Sequence, residues 1–233
     1  MATHVQVQPL GDNFRPVAPA WHAAVVVLLI AAQGLRVWMH ADLVRNMADP
    51  NRTRMYLATM AAEWLLLGIV LAGVWFGGSS LYTVLGERWR SASQFLRDAG
   101  IGVLFLFASI MVTSILGSHS RGADQSTQFL LPQSSMERVL WILLSITAGV
   151  CEEAVYRGYL QKQFMALTKS VPVGIILPGL MFGAAHAYQG VAKAVGIAVL
   201  GVMTGVLAFW CRTVRPGMIS HALQDVLGGF IRH

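Results

Sequence analysis

Charge is scarce in this sequence. Asp, Glu, Lys and Arg make up 12% of its 233 residues, where a soluble domain of this length carries about 25%, and that shortage argues against an ordinary soluble fold. Cysteine is scarcer still: Cys151 and Cys211 are the only two, both in or at the edge of apolar runs, so a disulfide framework is not expected. No HExxH pair occurs, which excludes the zincin arrangement, and no internal repeat is evident. The 14 Arg and 3 Lys are scattered over short polar stretches instead of forming one run or face, so nucleic acid is not an expected partner. The amino end, MATHVQVQPLGDNFRPVAPA, has no apolar core of a signal peptide and no cleavage site follows, so the first apolar segment is expected to be retained.

What the chain does have is long apolar runs. Hydrophobic residues make up 55% of it and its mean hydropathy is +0.58. Runs near the roughly 20 residues needed to cross a bilayer extend over Trp21–Trp38, Met55–Phe76, Ala99–Leu116, Val139–Leu160, Val173–Ala187, Ala194–Cys211 and Gly217–Phe230. The expected fold is all-α, a polytopic membrane bundle of about seven to eight transmembrane helices. A polar amino-terminal segment, 1–20, precedes a membrane-embedded domain, 21–233. The segment LYTVLGERWRSASQFL allows one further, interfacial amphipathic helix with Leu81, Val84, Leu85 and Trp89 on one side. Basic residues divide nine to eight between the two sides, which leaves the orientation open.

Three charges interrupt the fourth run: GVCEEAVYRGYL continues RVLWILLSITA directly. A charged side chain at mid-bilayer costs about 2.5–3.5 kcal/mol, so Glu152, Glu153 and Arg157 facing lipid would together cost about 7–10 kcal/mol. Glu153 and Arg157 are four residues apart, which sets a carboxylate beside a guanidinium on one helix face. Glu152 has no such partner, and a carboxyl held in a dry interior can shuttle a proton near neutral pH. An isolated EExxxR also fits a solvated helix end. Of the seven histidines, His186 and His221 fall in or close to apolar helical runs, and the other five are terminal, at span edges or in loops. His221 and Asp225 again stand four apart, so one face can present an imidazole and a carboxylate together, one orienting the other or both gripping a water or a metal.

Glu152-Glu153-x-x-x-Arg157, Phe182-x-x-x-His186 and His221-x-x-x-Asp225, in this order on three successive apolar segments, closely resemble the motifs of the CPBP family of intramembrane proteases, which includes the CAAX prenyl endopeptidases and the bacterial ABI proteins. The likeness covers roughly the carboxyl-terminal half, with a catalytic core about 139–233. It implies an intramembrane endopeptidase in which Glu152 activates the attacking water, Glu153 and Arg157 support it as second acid and ion pair, and His186 binds or polarises the reacting group. In relatives the third motif usually ends in Asn, where a short polar acceptor helps His221 build the site. Here the position is Asp225, and an ionised carboxylate would repel an oxyanion but suit a cation. The resemblance therefore implies either no cofactor or a Zn2+ held through Glu152, His186, His221 and Asp225.

The implied partners are the lipid bilayer and a membrane-associated peptide or protein substrate, and the short loops and Arg-rich composition suggest a prokaryotic cytoplasmic (inner) membrane. Two rival readings remain at this point: a proton-coupled transporter using the same ionisable residues as a relay, and a non-proteolytic membrane scaffold that keeps only the fold. Glu63 is a further intramembrane carboxylate, placed early enough in its run to reach the interface. Gly201 and Gly205 form a GxxxG suited to close helix packing.

Overall fold

The computed structural model describes residues 14–47, 50–117 and 125–230. Residues 1–13 of the polar amino-terminal segment, residues 118–124 of the most polar connection and residues 231–233 lie outside the described residues. Among those described the structure is all-helical: α1 Ala20–Arg45, α2 Arg52–Phe76, α3 Tyr82–Leu85, α4 Ala92–Gly117, α5 Ser135–Glu153, α6 Gln161–Thr168, α7 Val171–Ala185, α8 Val191–Cys211 and α9 Arg215–Phe230, with short 3-10 turns at Gln125–Leu130 and Ala187–Gln189.

Each of the seven expected spans coincides with a helix, but five are long and apolar enough to cross a membrane: α1, α2, α4, the continuous helical segment Ser135–Thr168, and α8. The other two stop short, α7 at 15 residues and α9 at 16. Their outer companions present Trp21, Trp38, Trp64, Trp75, Leu104, Phe107 and Trp210 outwards. So much exposed apolar surface on a helical bundle is the mark of a lipid-facing exterior, and the chain is an integral membrane protein.

Helix boundaries follow local chemistry. Asn51 accepts from Arg54 N at the start of α2. Ser134 and Glu137 form a reciprocal capping box at the start of α5. Ser170 accepts from Val173 N at the start of α7, whose first turn contains Pro172. The expected amphipathic helix over Leu81–Leu96 is not formed. Gly86 has φ +81° and ends α3 after four residues, a conformation that favours glycine. Val84 is then fully buried, while Trp89 turns to donate to Asp98 Oδ2 at 2.9 Å.

The segment between α5 and α6 was not legible in advance. Ala154–Leu160 winds as a π-helix, and all seven of its side chains are buried. Close crossings lock the surrounding helices. A Cβ on Gly149 of α5 would stand 2.8–2.9 Å from Met218 O and Ala222 of α9, and one on Gly201 of α8 would stand 2.9 Å from the Gly179 backbone of α7. The GxxxG glycines are thus packing positions, Gly201 against α7 and Gly205 against Gln161 and Ile175.

Two polar anchors fix the end of the bundle where α1 begins. Asp98, 1% exposed, lies 2.9 Å from both Arg97 and Arg215. His22, at a span edge in the sequence, is buried: Nε2 donates to Ile69 O at 3.1 Å, so Nδ1 accepts from the Tyr159 hydroxyl at 2.6 Å. The imidazole ties α1 to α2 and to the π-helix.

Candidate functional site

The long helical segment brings Glu152 and Glu153 to the middle of the bundle and turns them to different surroundings. Glu153 and Arg157 form the ion pair that their spacing predicts, Nη1 to Oε1 at 2.9 Å, with each side chain 1% exposed. Arg157 Nη2 donates to Gly201 O at 3.0 Å and its guanidinium stacks over the Phe182 ring at 4.7 Å, so every side of the cation is engaged. Glu152 instead stays 19% exposed and lines a cavity of about 1040 Å³.

His221 links the two acids. Its Nδ1 lies 3.2 Å from Glu153 Oε1, while Nε2 lies 3.6 Å from Glu152 Oε2 and 3.5 Å from Asp225 Oδ2. One turn of α9 therefore presents an imidazole held on one nitrogen by a sealed carboxylate and flanked on the other by two that face the cavity. The position of α9 is set by Trp141, whose Nε1 donates to Asp225 O at 2.9 Å, and by Gly217, where a Cβ would stand 3.1 Å from Glu153 Oε2.

His186 is the C-cap of α7 and not an interior helical residue. Its Nδ1 donates to Phe182 O at 2.8 Å, the carbonyl four residues back, which leaves Nε2 for the cavity that it also lines. Phe182 is the shared wall: its ring centroid is 4.7 Å from that of His186 and 5.8 Å from that of His221. Tyr188 stacks on His186 at 6.0 Å. Burial raises the Tyr188 phenol to about 12, so it stays protonated at neutral pH, and its oxygen accepts from Gln189 Nε2 at 3.1 Å.

All six residues singled out in the sequence thus converge: Glu152, His186, His221 and Asp225 on the cavity, Glu153 at its inner wall, and Arg157 behind Glu153. Two further features were missed or underweighted. The ring cluster Tyr156, Phe182 and Tyr188 that packs around the histidines has no sequence signal beyond the Phe182-x-x-x-His186 spacing. Glu63, read as a residue that could reach the interface, lines the same cavity. An ionisable residue carried by an apolar segment was the available clue.

Among the described residues no group of three or more His, Cys, Asp or Glu side chains is placed to hold a metal ion. The chemistry below is derived from the side chains alone.

Residues 134–227 match the family model described as Type II CAAX prenyl endopeptidase Rce1-like. Neither the curated proteins nor the solved structures compared with the chain include a match. The matched segment is less than half of the chain, but it contains all six converging residues, the sealed ion pair and both motif histidines. That segment is thus similar to the type II CAAX prenyl endopeptidases, in line with the motif resemblance to the CPBP family of intramembrane proteases.

Proposed function

We propose that the chain hydrolyses peptide bonds at or within the membrane with a water activated by Glu152. The observation that supports this reading best is the asymmetry of the adjacent acids: Glu153 is 1% exposed and committed to Arg157, while Glu152 opens to the cavity beside His221. One carboxylate is neutralised to hold the framework, and the other is left able to exchange a proton.

In this mechanism a substrate carbonyl enters near His186 and His221. Glu152 takes a proton from water, and the hydroxide oxygen bonds to the carbonyl carbon. The oxyanion formed is placed to accept from His186 Nε2, the ring nitrogen left over once Nδ1–H is donated to Phe182 O, when that nitrogen carries a proton. His221 Nε2 supplies a second donor from the α9 side, and Glu153 on Nδ1 holds that ring in place. As the C–N bond breaks, Glu152 returns its proton to the leaving nitrogen. Asp225, 3.5 Å from His221 Nε2, orients that imidazole.

The substrate class is a membrane-associated peptide or protein. A prenylated carboxyl terminus, the substrate named in the family description, suits a cavity whose lining includes Val37, Leu66, Phe105, Leu144 and Ile197 beside the polar end. The chain is proposed to act in a prokaryotic inner membrane.

The test is cleavage of a farnesylated CAAX-type peptide by the full chain purified in detergent, with products identified by mass spectrometry. Glu152→Gln keeps the side chain's shape and removes its basicity. It is expected to lower kcat by about 10²–10⁴-fold with an unchanged unfolding midpoint. Substantial residual turnover in that variant sinks the assignment of Glu152 as base.

A further inference from the structure

We infer that Glu63 contacts the substrate during this reaction, its Oε2 accepting the N–H on the leaving side of the scissile peptide bond. The inference rests on the protease reading above and adds a residue from α2, well outside the family-matched segment 134–227.

Three observations converge on it. Glu63 lines the same cavity as Glu152, His186, His221 and Asp225. It stands within electrostatic reach of Glu152, His221 and Asp225, so it belongs to their cluster and not to a separate patch. Its Oε2 is buried and, among the described residues, has no hydrogen-bond partner. A buried acceptor is normally satisfied. Glu153 Oε2 is also buried without a hydrogen-bond partner among the described residues, but its side chain is held through Oε1 by Arg157 and its Oε2 sits 3.1 Å from where a Gly217 Cβ would stand, against α9. Glu152 and Asp225 flank His221. Glu63 brings its unpartnered acceptor from a different wall, α2, which packs against α5.

Peptide hydrolysis needs such an acceptor at one place. The water's O–H breaks as its proton goes to Glu152, the C–O bond forms, the C–N bond breaks and Glu152's proton passes to nitrogen, so the electron pair of the C–N bond ends on the amine. While that nitrogen gains the proton, its existing N–H becomes more acidic. A hydrogen bond from it to a carboxyl oxygen strengthens in the transition state more than in the bound substrate, and such differential binding accelerates the chemical step. Glu152, His186 and His221 are occupied with water and oxyanion, which leaves Glu63 for the leaving nitrogen.

The experiment compares two farnesylated CAAX-type peptides, identical except that in one the scissile amide N–H is replaced by an ester oxygen. The enzymes are the wild-type chain, Glu63→Gln and Glu63→Ala, each checked by its unfolding midpoint in detergent. Glu63→Gln is nearly isosteric and keeps the comparison available if Glu63→Ala does not fold. The expected result is a loss of at least tenfold in kcat/KM on the amide for Glu63→Ala and a smaller but measurable loss for Glu63→Gln, whose side-chain oxygen can still accept the N–H. On the ester, which has no N–H to offer, the loss is smaller for each variant. An equal loss on both substrates, the outcome of a merely structural role, overturns the inference, and so does an unchanged amide rate. A wild type that cleaves neither peptide overturns the protease reading itself, and this inference with it.

Discussion

Replacing Arg157 by alanine deletes the guanidinium that, with the imidazole of His221, meets Glu153 at ion-pair distance among the described residues, and it does so where the Arg157 and Glu153 side chains are 1% exposed. The variant leaves three losses behind. Glu153 Oε1 loses its 2.9 Å partner, the Gly201 carbonyl loses its 3.0 Å donor, and the Phe182 face loses the guanidinium stacked on it. Removing one member of a buried ion pair costs about 3–5 kcal/mol, mostly through the charge left behind, whereas replacing both members by apolar groups is often neutral. At about 2–4 °C per kcal/mol for a chain of this size, Arg157→Ala should lower the unfolding midpoint by about 6–20 °C. Leu at Glu153 combined with Met at Arg157 should recover most of that loss while remaining inactive, because His221 then has no partner on Nδ1. The assay is thermal unfolding in detergent followed by tryptophan fluorescence, with size-exclusion recovery as a second readout. Arg157→Ala with a wild-type midpoint, or a double variant as damaged as the single one, would refute the claim that the pair's value lies in neutralising Glu153.

Two further changes separate positioning from chemistry. If Asp225 acts through its charge on His221, Asp225→Asn should cost activity and Asp225→Ala more. An Asn variant as fast as wild type and insensitive to a chelator, with metal content measured in parallel, removes both the charge role and any metal role, and a metal-depleted, inactive Asn variant restores the metal reading. Gly149→Ala should push α9 from α5, since the new Cβ would meet Met218 O at 2.8 Å. That displacement of His221 is expected to lower kcat by about 10²-fold, read beside a stability loss of about 1–3 kcal/mol, and an Ala variant of normal kcat would show that the crossing does not set the site.

The site was legible in the sequence to the extent that helix periodicity reports neighbours. Glu153 and Arg157, and His221 and Asp225, are four residues apart, and the helix makes each pair adjacent. What periodicity cannot report is which helices meet. The bond of His221 Nδ1 to Glu153 depends on the α5–α9 crossing at Gly149, and nothing local in either segment encodes it. The place of Glu63 in its own apolar run does not report its depth in the bundle, where the cavity reaches along α2 to it. The burial of His22 is not legible either, for an edge position says nothing of a glycine, Gly73, whose missing side chain makes room for the ring. The π-helix left no trace because all seven of its side chains are buried, and a segment without an exposed face has no amphipathic period to read.

That π-helix sets the phase between two sets of contacts. Upstream, Glu152 and Glu153 aim at the cavity and at His221. Downstream, Gln161 donates to Gly205 O, and Gln163 accepts from Val17 N, holding the chain that leads into α1. In a π-helix the turn holds more residues than the 3.6 of an α-helix, so the rotation from the acids to the glutamines depends on how many residues lie between them. The length of Ala154–Leu160 is therefore a constraint separate from the packing of its seven buried side chains. Conservative substitutions there leave both ends in register, whereas losing or gaining a single residue would turn Gln161 and Gln163 by roughly 100° away from their partners while leaving every residue of the acidic motif in the chain.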